Sequence, residues 1–115
     1  MRVSIARALS VSPKLMLLDE PFGALDAMTR NQLNEDLLTI HSRDPFTAFF
    51  VTHSVAEAVF LSTRIVVLTH NPGTIAEIIE VNHPLPRGPE FRESNAYFEL
   101  MTKTSRALRN AQTRT

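Results

Sequence analysis

The chain has 115 residues, no cysteine, and 12 Lys+Arg against 12 Asp+Glu, for a formal net charge of zero. Disulfide staples are therefore excluded, and no net cationic field is present to draw nucleic acid or an anionic membrane surface, so no nucleic-acid partner is expected. The apolar runs are too short to span a bilayer, and Arg2, Arg7 and Lys14 interrupt any secretory leader, so the composition points to the cytoplasm.

In chain order, the first informative segment is Leu15-Met16-Leu17-Leu18-Asp19-Glu20-Pro21. Its apolar run predicts a strand buried on both faces, and in parallel α/β sheets ligands collect beyond the carboxyl ends of such strands. Asp19 and Glu20 fall at that end. Magnesium takes hard oxygen ligands and keeps much of its water, so one carboxylate can hold the ion or its waters while its neighbour orients an attacking water. The plainer expectation is a strand leading into a helix, with Pro21 in the first turn and the acids at its positive end.

Leu33, Leu37 and Ile40 recur at helical spacing and predict an amphipathic helix, and Ala48-Phe49-Phe50-Val51-Thr52 predicts a second strand. The unit is β-α-β, two parallel strands with a crossover helix. His53 stands at the carboxyl end of the second strand as Asp19 does on the first, so both side chains can face one ligand. A lone histidine at such a junction is more often structural, since imidazole satisfies local backbone groups. Ser54-Val55-Ala56-Glu57 has the form of a capping box, so a helix should begin at Ser54 with Val55, Ala58 and Val59 on its apolar stripe.

Ile65-Val66-Val67-Leu68 predicts a third strand, Asn71-Pro72-Gly73 a turn, and residues 75–81 an edge strand or hairpin return. Pro84, Pro86, Gly88 and Pro89 exclude a helix from His83 to Pro89 and predict an extended surface connection. Tyr97, Leu100, Met101, Thr104 and Leu108 lie at helical spacing, which predicts a terminal helix fraying from Arg109 onward. His41, His70 and His83 are expected on the surface.

Three of these segments, in this order, resemble one family. The stretch from Leu15 to Pro21 resembles the Walker B segment of ATP-binding cassette (ABC) ATPases, Phe22-Gly23-Ala24-Leu25-Asp26 resembles their D-loop, and Thr52-His53 their switch histidine. Arg2-Val3-Ser4-Ile5-Ala6-Arg7-Ala8-Leu9 is similar to the helix after the family signature, with Pro13 ending it. The family commonly has aspartate where this chain has Ser54; both residues cap helices well. Pro21-Phe22-Gly23-Ala24-Leu25-Asp26-Ala27-Met28-Thr29-Arg30, Glu57-Ala58-Val59-Phe60-Leu61 and Pro72-Gly73-Thr74-Ile75 look like importer ATPases for nitrate, sulfonate, taurine or related anions.

The resemblance implies an α/β fold, the C-terminal half of a P-loop NTPase (ABC ATPase) domain with parallel β-strands and crossover helices. Residues 1–82 would be a partial nucleotide-binding domain and 83–115 a C-terminal extension with the terminal helix. By the same resemblance Asp19 supports Mg2+ at the nucleotide, Glu20 is the general base or water-orienting acid, Asp26 lies at the nucleotide site and communicates across a dimer, and His53 senses the γ-phosphate of ATP. The implied partners are a second ATPase subunit, paired head to tail around two ATP molecules, membrane permease subunits, and indirectly a periplasmic binding protein. The implied location is peripheral, on the inner face of the cell membrane.

A phosphate-cradling Gly-x-x-x-x-Gly-Lys-Ser/Thr loop is not found, since lysine follows none of Gly23, Gly73 and Gly88. The glutamine loop, the adenine-stacking aromatic and the signature are likewise unrecognisable. The expectation is a fragment, inactive alone, whose strands lack the cover that the amino-terminal half gives them in the ABC fold. Two other functions stay open. One is a non-catalytic interaction module that pairs with an intact ATPase or membrane subunit, against which the intact acids and histidine count. The other is a soluble, non-transport ABC ATPase of DNA repair or translation, which should carry long insertions that this sequence lacks.

Overall fold

A computed structural model describes residues 15–69 and 74–113. The expected helix over residues 2–9, the Asn71-Pro72-Gly73 turn and His70 lie outside the described residues. The chain divides into two compact units, Met1–Ser54 and Val55–Thr115.

In the first unit, strand β1 (Leu15–Asp19), helix α1 (Ala27–Arg43) and strand β2 (Thr47–Val51) follow one another. The strands pair in parallel, from Leu15 opposite Thr47 to Asp19 opposite Val51. This is the predicted β-α-β unit, and its parallel pairing is why a helix must intervene. Burial alternates along β1, with Met16 and Leu18 buried and Leu17 71% exposed; on β2, Phe49 is 63% and Val51 47% exposed. The expectation of a strand buried on both faces is thus not met. Among the described residues the sheet has two strands, and one of its faces has no cover.

Helix α1 starts later than Pro21. Residues 20–26 form turns closed by Gly23 N–H donating to the Glu20 carbonyl (3.2 Å) and Leu25 N–H to Phe22 (3.1 Å). Asp26 is the N-cap, its carboxylate accepting from Thr29 N–H at 2.8 Å. The buried face is Asn34, Leu37 and Leu38, while Ile40 is exposed. The apolar stripe is rotated from the Leu33-Leu37-Ile40 expectation because Leu38, one residue on from Leu37, is the position turned inward. His41 is half-buried: its Nε2 lies 2.8 Å from the Phe46 carbonyl and its ring packs edge-on to Phe46. It holds the turn after α1.

The second unit comprises α2 (Val55–Leu61), β3 (Arg64–Leu68), β4 (Ile75–Glu80), a short 3-10 helix (Pro89–Glu93) and α3 (Asn95–Thr113). Strands β3 and β4 pair antiparallel, the hairpin return that the sequence offered. Helix α3 packs against α2, β3, β4 and the 3-10 helix. It does not fray at Arg109, because Ala107 and Ala111 extend the buried stripe begun by Tyr97 and Thr104. Among the described residues no helix is long and apolar enough to cross a membrane.

The 83–89 segment is more than a surface connection. Arg87 is buried, and its guanidinium donates to the carbonyls of Val59 (3.1 Å), Phe60 (2.8 Å), Ser62 (2.9 Å) and His83 (2.6 Å). Three of those carbonyls belong to the carboxyl end of α2 and the residue after it, where orphan C=O groups and the helix dipole both favour a cation. Burial pushes the Arg87 guanidinium down to about 10, which leaves it charged at neutral pH. His83 is exposed, as expected, but stacks on Phe91 at 4.2 Å, and Arg92 lies 3.9 Å over the Phe60 ring.

Candidate functional site

The first unit holds all four side chains singled out in the sequence. Asp19 ends β1, with an exposed side chain. Glu20 follows with φ of 46°, a left-handed conformation that a non-glycine residue adopts at a cost of about 1–2 kcal/mol. Its N–H donates to the Val51 carbonyl at 2.7 Å, so the ladder between β1 and β2 runs one residue past Asp19 before the chain turns. Backbone strain of this kind gathers where a side chain must be aimed. The residue that carries it here is an acid.

His53, two residues beyond β2, is the partner. Its Nε2 lies 3.3 Å from Glu20 Oε1, and its side chain is 92% exposed. Ser54 N–H donates to Thr52 Oγ1 at 2.9 Å, a local turn that brackets the histidine. The two strand ends therefore place an acid and an imidazole together at a water-facing edge, where a ligand can reach both. Asp26 stands at the other end of the turn, and the Thr29 N–H holds its carboxyl below the usual carboxylate range. In this structure its carboxylate caps α1.

Asp19 offers hard oxygens in water, which suits a cation that keeps much of its hydration shell. Among the described residues no group of three or more His, Cys, Asp or Glu side chains forms a closed metal cage.

Comparison with known proteins decides the family. A bicarbonate transport ATP-binding protein of Synechocystis is 54% identical over 104 residues, 89% of this chain and 16% of that protein. A nitrate import ATP-binding protein of Synechococcus elongatus is 52% identical over 101 residues, 86% of this chain and 15% of that protein. An aliphatic sulfonates import ATP-binding protein of Bacillus cereus is 49% identical over 102 residues, 89% of this chain and 39% of that protein. The chain belongs to the ABC transporter ATP-binding family. No family model matches it.

Two of these ABC relatives carry the nitrate and sulfonate names that the sequence motifs suggested; bicarbonate is an addition. The chain spans between about one eighth and two fifths of the length of the curated relatives it matches. Two residues of this ABC chain were given no role in the sequence. Arg30 reaches back from α1 to the Phe22, Gly23 and Leu25 carbonyls, at 3.3, 3.3 and 3.1 Å. A signal existed, for a long side chain one turn after a helix cap leans toward the helix start. Thr52, whose hydroxyl takes the Ser54 N–H, is the other.

Proposed function

We propose that this chain carries the hydrolytic strand ends of an ATP-hydrolysing subunit of an ABC importer for a small anion. The observation that carries the reading is the Glu20–His53 pair, 3.3 Å apart beside the exposed carboxylate of Asp19, in a chain whose relatives bear ATP-binding transport names. On this reading the fold is the C-terminal half of a P-loop NTPase domain, residues 1–82 the partial nucleotide-binding domain and 83–115 its extension. The subunit pairs head to tail with a second copy, docks on membrane permease subunits fed by a periplasmic binding protein, and lies peripherally on the inner face of the membrane.

The residues then divide the work. Glu20 orients the water that attacks the γ-phosphorus and accepts its proton, a task that suits a carboxylate whose backbone is anchored by its N–H to the Val51 carbonyl. His53 is close enough to hold the Glu20 carboxylate before the phosphate arrives, and exposed enough to turn to a phosphate oxygen afterwards. Asp19 holds Mg2+ through its waters or directly; the ion supplies charge neutralisation at the phosphates when bound. Asp26 sits at the far end of the same loop, where a partner subunit can press on it.

The test is steady-state ATP hydrolysis by a complete subunit that carries these residues. Glu20→Gln should abolish turnover, retain ATP binding and accumulate a closed dimer. Turnover within threefold of the parent would remove Glu20 from this role.

A further inference from the structure

Arg30 was part of a sequence pattern but had no task, and the structure gives it one. The loop of residues 20–26 joins the Glu20 carboxylate at one end to Asp26 at the other. Each end is fastened, Glu20 through its N–H to Val51 and Asp26 through Thr29. The middle of the loop turns the carbonyl oxygens of Phe22, Gly23 and Leu25 toward a common point. The Arg30 guanidinium fills that point, with Nε donating to Phe22 and Nη2 to both Gly23 and Leu25.

A guanidinium presents its donors in a rigid planar fork, so three acceptors gathered on it lose their freedom together. An ammonium carries its three donors on a single atom at the end of a flexible stem, and so holds such a set less rigidly. We propose that Arg30 is a positioning residue for ATP hydrolysis: it locks residues 22–25 around its guanidinium and thereby fixes the direction in which the strained Glu20 presents its carboxylate to His53. The inference rests on the hydrolytic reading above.

This arrangement separates Arg30 from a residue that merely stabilises the fold. Glu20 stays at the end of β1 without Arg30, because the Val51 carbonyl still holds its N–H. What is lost is the rigidity of the turn after it. The Gly23 and Leu25 amides, bonded to the Glu20 and Phe22 carbonyls, report that rigidity directly.

The test uses a complete ATP-binding subunit of the importer type carrying residues 15–113 of this chain, with Arg30→Met, Arg30→Lys and Glu20→Gln. Amide hydrogen exchange in Arg30→Met should quicken at least tenfold in peptides covering residues 20–26, with exchange in β2 unchanged. Turnover should fall about tenfold with the KM for ATP within twofold of the parent, and Arg30→Lys should restore only part of kcat. Unchanged exchange in the loop, or unchanged kcat with Glu20→Gln inactive, overturns the role of Arg30 alone. Equal acceleration of exchange throughout the first unit also overturns it, by showing a general loss of stability. Full turnover by Glu20→Gln overturns the hydrolytic reading, and this inference with it.

Discussion

Glu20 and His53 meet because β1 is one residue longer in its pairing than in its strand: the Glu20 N–H bonds the Val51 carbonyl at 2.7 Å, and His53 follows Val51 by two residues. The backbone register thus brings the two residues within reach, and Oε1 and Nε2 meet at 3.3 Å. The integrity of that contact depends on the parallel ladder.

Glu20 should show a conflict between stability and turnover. With φ of 46° it occupies a region open to glycine without penalty, so Glu20→Gly should raise unfolding stability by roughly 0.5–1 kcal/mol. Turnover in the complete subunit should fall by about 10² to 10⁴. Denaturant midpoints of the two proteins check the first half; a loss of stability in the glycine variant would show that the left-handed conformation carries no strain.

His53→Ala and Ser54→Ala should fail in different ways. The imidazole is 92% exposed, so its loss should change stability by less than about 0.5 kcal/mol while crippling hydrolysis. Ser54 precedes α2 and suits a cap, so its loss should cost about 0.5–2 kcal/mol with little effect on chemistry. Paired measurements of melting and turnover distinguish the two, and equal activity losses at equal stability would count against a phosphate-sensing histidine.

Asp26 predicts an acid-sensitive helix start. Its carboxyl is held below the usual range by the Thr29 N–H, so the native state favours the ionised form. The stabilisation is fully present above the ordinary carboxylate range and is lost as pH falls through the lowered native value. Asp26→Asn keeps the acceptor oxygen but removes the charge, so α1 in that variant should lose less helicity on acidification than the parent. Identical acid profiles by circular dichroism would contradict the cap.

Arg87→Met should destabilise the second unit by roughly 2–4 kcal/mol, because it strands carbonyls of Val59, Phe60 and Ser62 that are grouped on one guanidinium. Arg87→Lys should recover only part of the loss, since one ammonium cannot serve the same set. Urea unfolding measures both, and a cost below about 1 kcal/mol would mean that water replaces the guanidinium.

The 115-residue chain alone should bind Mg-ATP only at millimolar concentration or worse, about −4 kcal/mol or weaker. Tight binding of phosphates relies on a nest of backbone N–H groups and a lysine, which this sequence does not offer in recognisable form. Micromolar saturable binding in calorimetry would show that another part of the chain supplies them.

Asp19, Glu20 and His53 were legible because apolar runs reveal strands, and the polar residues at a strand's carboxyl end stand out against the run before them. The left-handed Glu20 was not, since no glycine marks it. Arg30 and Arg87 were hidden for a common reason: their partners are backbone carbonyls, and every residue has one, so no pairing of residue types betrays the contact. The α1 face was shifted because Leu37 and Leu38 are adjacent and spacing alone does not say which neighbour turns inward. The Arg109–Thr113 stretch looked loose because its anchors are alanines, which contribute burial without an apolar signature.

The side of β1 and β2 that is bare among the described residues also governs how the polypeptide behaves in solution. Leu17, Phe49 and Val51 form an exposed apolar row on a sheet whose strands, among the described residues, both have free edges. Such a surface templates the addition of further strands, so self-association rather than unfolding should set the highest usable concentration. Soluble yield of the isolated chain should therefore drop steeply as it is concentrated, and replacing Phe49 with lysine should raise the concentration at which it precipitates.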